Sequence, residues 1–471
     1  MIKSICTALK LLKRVAAIAL AATIVVATGT AYAQQITGAA MQGALTPGMS
    51  STAYAQAASK MTLAQAPLAL RQAVLGQEAQ LTAADGAAND SFGGRVVLSS
   101  DGKTALIAAN KTVGGNEGQG AAYIFERNGS TWQQQTRLTA ADGAAFDSFG
   151  VSLALSNDGK TALIGALKTV GGNENQGAVY VFERNGSTWQ QQTQLTAADG
   201  AANNFFGFSV ALSSDGKTAL IGAPGKTESR GAAYVFERNG STWQQRTQFT
   251  DADGAVFDSF GISVALSNDG KTALIGAVGK TVGSNEREGA AYVFERNGST
   301  WQQETQLTAA DGAANDLFGL SVALSSNGKT ALIGAFGKTV GSNELQGAAY
   351  VFEREGSTWQ QQTQLTNADG AAGDRFGFSV ALSSNGKTAL IGAQVKTIGS
   401  NSGQGAVYLF EREGSTLQQQ TRLTAADGAA NNFFGGSVAL SNDGETALIG
   451  AFGKTVGSNE FQGAAYVFGK E

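Results

Sequence analysis

The sequence predicts an all-β chain, a seven-bladed β-propeller of four-stranded antiparallel blades closed by an N-terminal strand that completes the last blade. Three observations carry that reading. From residue 73 one pattern is written seven times, marked by Phe-Gly at Phe92, Phe149, Phe206, Phe260, Phe318, Phe376 and Phe434, with spacings of 57, 57, 54, 58, 58 and 58 residues. Each copy divides into short β-like runs separated by Asp-Gly or Asn-Gly pairs, which suit positive-φ hairpins and not a 3.6-residue helical repeat. The 471 residues include 63 glycines but 3 prolines, which excludes a proline-rich disordered chain and a collagen.

Taken in order, Lys3, Lys10, Lys13 and Arg14 precede the apolar run Val15 to Val26, and Ala31-Tyr32-Ala33 follows before Gln34. This reads as a secretory signal peptide over residues 1–33. Residues 34–72, with Pro47 and Pro67 among many Ala, Gln, Ser and Thr, read as a flexible spacer, and 73–471 as the propeller. In the third copy Gly207 to Ser213 is the first strand and Thr218 to Ala223 the second. Gly231 to Glu237 is the third and the glutamine-rich Thr242 to Thr250 the fourth. Apolar content falls along this series, so the first strand is expected innermost and the polar fourth at the rim. The seventh copy stops after its third strand, while Leu75 to Thr82 aligns with the fourth-strand pattern, so the N-terminal strand is expected to complete the last blade. All five tryptophans, Trp132, Trp189, Trp243, Trp301 and Trp359, share one register in the fourth strand and read as packing between blades. Glu126-Arg127 and its copies read as exposed ion pairs, and Asn128-Gly129-Ser130 and its copies as hairpin turns.

The unit Phe206-Gly207-Phe208-Ser209-Val210-Ala211, followed after the second strand by Gly222-Ala223-Pro224, resembles the FG-GAP repeat of integrin α-subunit propellers and their bacterial relatives. The resemblance covers about residues 74–471 and implies a propeller associated with extracellular recognition and adhesion. Only the third copy keeps the full Gly-Ala-Pro. The family's calcium loop between the first two strands is replaced by Ser-Ser-Asp-Gly-Lys-Thr and its variants, where one carboxylate stands beside a lysine. That cannot supply the roughly six to eight oxygens calcium takes, so neither metal nor cofactor is expected.

With 0 histidines and 1 cysteine, Cys6 in the leader, the chain cannot build a Ser-His-Asp or Cys-His nucleophile, a His-ligated zinc site or a disulfide. Its net charge of −4, before the four leader bases are removed, argues against nucleic acid. Tyr123 and its six copies sit inside the third strand and read as packing. The loops linking blades carry Asp85, Asp142, Asp199, Asp253, Asp311, Asp369 and Asp427. Five residues later come Asp90, Asp147, Asn204, Asp258, Asp316, Asp374 and Asn432. These could form an acidic ring, or serve the turns as Asx caps, which every blade needs. On the same face the loop between second and third strands runs from Val278 to Glu288 in blade four but only from Pro224 to Arg230 in blade three. Loops carry function, so ligand contacts are expected at this notch, from Asp199, Asp253, Pro224, Lys226, Glu228 and Arg230. The expected protein is a monomeric, non-enzymatic recognition propeller, secreted, periplasmic or at the cell surface. It has no membrane span once the leader is cleaved, and its partner is an unknown protein or glycan. The alternatives are an exported glycosidase-like hydrolase using loop carboxylates and a structural surface protein without a discrete ligand.

Overall fold

The computed structural model describes residues 75–470; the leader and spacer assignments lie outside the described residues. Seven four-stranded antiparallel sheets follow one another along the chain. The third blade is Ser209–Leu212, Thr218–Ala223, Ala232–Asn239 and Thr242–Phe249, hydrogen-bonded in that order. Its second strand, Thr-Ala-Leu-Ile-Gly-Ala, is buried at every position, as a continuous apolar run with neighbours on both faces should be. The fourth alternates between exposed and half-buried residues and ends on buried Phe249, which suits a rim strand with one wet face.

First strands do lie innermost, packed against the first strands of adjacent blades. The apolar gradient nevertheless misleads about burial. Val210 is buried but Ser209, Ala211 and Leu212 are half-buried, because the inner strand borders the axis of the ring while the second strand is covered on every side.

The core is a set of wedges between blades. Leu163, Val179, Val181 and Leu195 of blade two meet Phe206, Ile221, Tyr234 and Phe236 of blade three, with Trp243 packed against the cluster, and the other junctions repeat this. The Phe206 ring stands edge-on to Tyr234 at 5.5 Å and to Phe236 at 5.8 Å. The Phe-Gly dipeptide also lies where backbones of neighbouring blades touch. Phe260 bridges Gly231 of the preceding blade, and a Cβ on Gly231 (φ 90°) would fall 2.1 Å from the Phe260 carbonyl oxygen, so only glycine fits. At the far end of the axis seven backbone hydrogen bonds form a closed circle. Ser100 donates to Asn157, Asn157 to Ser214, Ser214 to Asn268, Asn268 to Ser326, Ser326 to Ser384, Ser384 to Asn442 and Asn442 to Ser100.

The N-terminal strand Leu75–Leu81 pairs antiparallel with Ala464–Lys470 and supplies the outer strand of the seventh blade. Leu75 and Leu81 are buried in the wedges on its two sides. A second complementarity marks the junction. Glu126 pairs with Arg184 of the next blade, and Glu183–Arg238, Glu237–Arg296, Glu295–Arg354, Glu353–Arg412 and Glu411–Lys470 continue the girdle. These pairs therefore join adjacent blades, with Arg184 and Glu126 each only 25% exposed, and are not the loose surface pairs the sequence suggested. In blade seven the glutamate register holds Gly469, opposite Thr446. Glu78, at the β-bulge of the N-terminal strand, supplies the missing carboxylate and meets Arg127 at 3.1 Å. A Cβ on Gly469 would lie 2.0 Å from the Glu78 Oε1, so the glycine makes room for the carboxylate from the other end of the chain.

A chain beginning at Val74 keeps this strand and one beginning at Ala83 loses it. Uncovering two buried leucines and one girdle carboxylate is expected to cost about 5 kcal/mol or more, on the order of 2–5 for each leucine. Equal melting temperatures for the two chains would overturn this account of closure.

Candidate recognition face

Antiparallel order places the blade-linking loops and the second-to-third-strand loops on one face, and the tight turns on the other. The two loop sets are stitched together. Asn203, Phe205 and Phe206 donate their backbone N–H groups to the carbonyls of Glu174, Asn175 and Gln176 in the preceding blade.

Beneath the stitches lies a group of seven lysines, of which the sequence singled out only Lys226, and that one as a ligand contact. Lys111, Lys168, Lys226, Lys280, Lys338, Lys396 and Lys454 occupy one register just after the second strand, and their side chains are 6–14% exposed. At blade two the Tyr180 hydroxyl donates to Asp142 Oδ1 at 2.6 Å, while Lys168 Nζ donates to Asp142 Oδ2 at 2.6 Å and to the Tyr180 oxygen at 3.0 Å. The arrangement recurs with Tyr123 on Asp85, Tyr234 on Asp199, Tyr350 on Asp311, Tyr408 on Asp369 and Tyr466 on Asp427. Arg137 and Arg422 add a second cation to Asp85 and Asp369. The later Asp or Asn caps its own turn, accepting from the N–H three residues before it, as Asp90 does from Ala87 and Asn204 from Ala201. Five of these caps also face a lysine, Lys338 lying 2.9 Å from Asp316.

Each carboxylate is thus spent on a neighbour. At Asp85 burial alone would raise the carboxyl pKa, but the Tyr123 hydroxyl, Lys111 and Arg137 outweigh it and bring it to about 2. Asp142, Asp199, Asp369 and Asp427 are also held below the ordinary range, for the same opposing causes. Burial and the adjoining aspartates push the tyrosines far upward, so they remain hydrogen-bond donors. Recurrence of Lys-Thr at one register was the available signal for the lysine.

Blade four breaks the pattern. Tyr292 donates to Asp251, where the other blades carry Ala or Asn, and Asp251 and Asp258 hold Lys280. The Asp253 carboxylate lies 3.2 Å from Lys280 and its backbone carbonyl accepts from the same ammonium at 3.1 Å, but its side chain is 77% exposed. Of the other residues expected at the notch, Pro224 is buried, and Lys226 is bound to Asp199 at 2.9 Å. Glu228 and Arg230 are exposed, Arg230 donating to the Gly254 carbonyl at 3.0 Å. The short loop is a single helical turn, Lys226–Ser229, in which Thr227 and Glu228 take left-handed angles, in place of the Val-Gly-Ser-Asn or Val-Gly-Gly-Asn tip of most other blades. Arg230 thereby reaches across to the loop containing Asp253, Val256 and Phe257. Asp199 stands one junction earlier, so the structure groups Arg230 with Asp253 and Lys226 with Asp199.

Among the described residues no helix is long and apolar enough to cross a membrane, and no group of three or more acidic, His or Cys side chains is placed to hold a metal ion. Comparison with known proteins matches residues 75–125, 132–182, 189–236, 243–294, 301–352, 359–410 and 417–468 to the family described as FG-GAP repeat. A stretch of 213 residues is 25% identical to integrin alpha-M of Mus musculus, covering 42% of this chain and only 18% of that protein.

The lowered carboxyls fix a pH dependence. A folded-state pKa below the unfolded value of about 4 contributes stability that is complete above that pH and is lost as pH falls through the folded value. Asp253 is lowered as well, while Asp147, Asp251 and Glu295, raised by burial, act in the opposite sense but are three against six. Melting temperature is therefore expected to fall most steeply between about pH 4 and pH 2, and less steeply in Asp85→Asn. A flat profile across that window would contradict the assignment.

Proposed function

Because the chain belongs to the FG-GAP repeat family and its propeller is integrin-like, we propose that it is a non-enzymatic recognition propeller that binds a protein or glycan through its loop-rich face. The observation that carries this reading is where apolar surface remains. All five large hydrophobic residues exposed among those described, Phe146, Val256, Phe257, Leu345 and Phe461, lie in loops of that face. Scattered exposure needs no explanation, but confinement to one face of a ring does. Val256 and Phe257 adjoin Asp253 and Arg230 at the blade-three notch, where the loop is shortest. There Phe257 and Arg230 offer the anchor types that dominate binding energy, with Glu228 and Asp253 as polar rim, while buried Pro224 and the Lys226–Asp199 pair, one junction earlier, hold the short loop in place. Carboxylates already committed to lysine and tyrosine, with no histidine beside them, weigh against a hydrolase. The leader sequence, and the occurrence of this family in extracellular and surface proteins, support export to the periplasm, the cell surface or the medium. A closed ring whose outer strands carry Gln, Thr and charged residues supports a monomer.

An array of extracellular proteins and glycans probed with the wild-type chain and with Phe257→Asn and Arg230→Ala tests the reading. Asn occupies the Phe257 register in four other blades with φ of 58–67°, so Phe257→Asn should leave the melting temperature unchanged or slightly raised. Binding to the strongest ligand is expected to weaken at least ~tenfold in either variant. Unchanged binding in both, with loss on substituting Asn185 or Asn239 in the opposite turns, would place recognition on the other face.

A further inference from the structure

On the axis of the loop-rich face, between blades six, seven, one and two, lies a cavity of about 400 Å³. It exists because the repeat is broken there. The residue after Phe-Gly is Val151, Phe208, Ile262, Leu320 or Phe378 in blades two to six, but Gly436 in blade seven and Gly94 in blade one. The following position is serine in six blades. Ser152, Ser209, Ser263, Ser321 and Ser379 donate there to a glycine carbonyl of the next blade at 2.7–2.8 Å. In blade one it is Arg95. After the second strand blade six carries Gln394, where four of the other blades place Leu, Val or Phe.

Ring closure brings these departures into the lining of one cavity. The Arg95 side chain is solvent-accessible, donates only to the neighbouring Gly94 carbonyl at 2.9 Å, and has no carboxylate partner among the described residues. Gln394 lines the same cavity at 7% exposure, and its carboxamide makes no hydrogen bond to a described residue. Its Oε1 lies 2.9 Å from where a Cβ on Gly436 would stand, so a larger residue at Gly436 would crowd it. A largely enclosed carboxamide that opens only into the cavity, together with a guanidinium lacking a carboxylate partner in the same lining, leaves two polar groups free to meet a ligand. Phe149, Val151, Phe378 and Phe452 supply apolar walls. The volume falls within the range of small-molecule sites, which join such walls to a few convergent polar groups.

We propose that this cavity binds a small ligand bearing one carboxylate, an adjacent amide and an apolar body, the chemistry shared by an N-acylated amino acid and a peptide C-terminus. Arg95 takes the carboxylate through its planar fork of N–H donors, and the Gln394 carboxamide pairs with the amide. The apolar body lies against Phe378 and Phe452. One cation without a second matches a monoanion better than a phosphate dianion. The site is independent of the rim at blade three and does not rest on recognition there.

Isothermal titration of the full propeller with N-acetyl-L-phenylalanine, with a pentapeptide ending in free phenylalanine, with N-acetyl-L-phenylalaninamide and with inorganic phosphate tests this. Saturable binding of at least one carboxylate probe is expected, at least ~tenfold tighter than the neutral amide. Response to the free acid alone identifies a small-molecule source, and response to both probes a chain end. Arg95→Ser, which restores the residue of the other blades, and Gly94→Val, which restores that of blade two, should each weaken binding at least ~tenfold without lowering the melting temperature. Absence of binding by both carboxylate probes, equal binding by the two variants, or tighter binding of phosphate would overturn the proposal.

Discussion

The buried ammonium set between a blade-linking aspartate and a third-strand tyrosine is the interaction on which the loop-rich face depends. It ties the loop entering a blade to the loop leaving its second strand, and Lys226 and Lys454 also donate to the backbone carbonyls of Asp199 and Asp427. A charge taken out of water must be matched closely, and removing one partner of such a pair typically costs about 3–5 kcal/mol. The two lysines whose second carboxylate is replaced by Asn204 or Asn432, Lys226 and Lys454, are the most exposed of the seven, at 14% and 11%. Less local negative charge goes with a cation nearer water. The twelve loop carboxylates read from the sequence are therefore a framework with its charge largely cancelled, and free recognition chemistry falls to the residues between the clamps.

Ring closure is the second constraint. A ring of repeated wedges has two chain ends at one junction, and here the ends share a sheet. Glu78 and Gly469 are matched across it: one end lacks a carboxylate and the other supplies it from a bulge. Closure is also what creates the central cavity, because Arg95 near the start of the propeller and Gly436 near its end meet only when the ring is shut.

Much of this architecture was legible in the sequence because seven copies average out local ambiguity. Strand order, turn positions, the inter-blade tryptophans and the displaced outer strand at Leu75 all followed from register. What the sequence concealed was environment. Lys111 and its copies stand beside Gly, Val and Thr in stretches that look like ordinary exposed loops, and nothing local shows that a tyrosine and a carboxylate close over them. Glu126 and Arg127 are adjacent in sequence, which suggested a local pair, yet alternation along the strand sends them to different blades. The first strand is apolar yet half-buried, since only the ring decides which strand borders the axis. Arg95, Gly94, Gln394 and Gly436 are single departures from a repeat, ordinary one by one and informative only when the fold gathers them.

A sevenfold scaffold with neutralised loops makes function a property of its irregularities. Returning those irregularities to the other residues of their registers tests this most directly, in one variant carrying Arg95→Ser, Gln394→Phe, Phe146→Asn, Phe257→Asn, Leu345→Gly and Phe461→Gly. The clamps, the girdle and the closing strand are untouched, so the variant should melt within a few degrees of the wild-type chain while losing measurable binding to the array ligands and the carboxylate probes. A variant that folds and binds as well as the wild type would show that recognition resides in the repeated framework itself, contrary to this account.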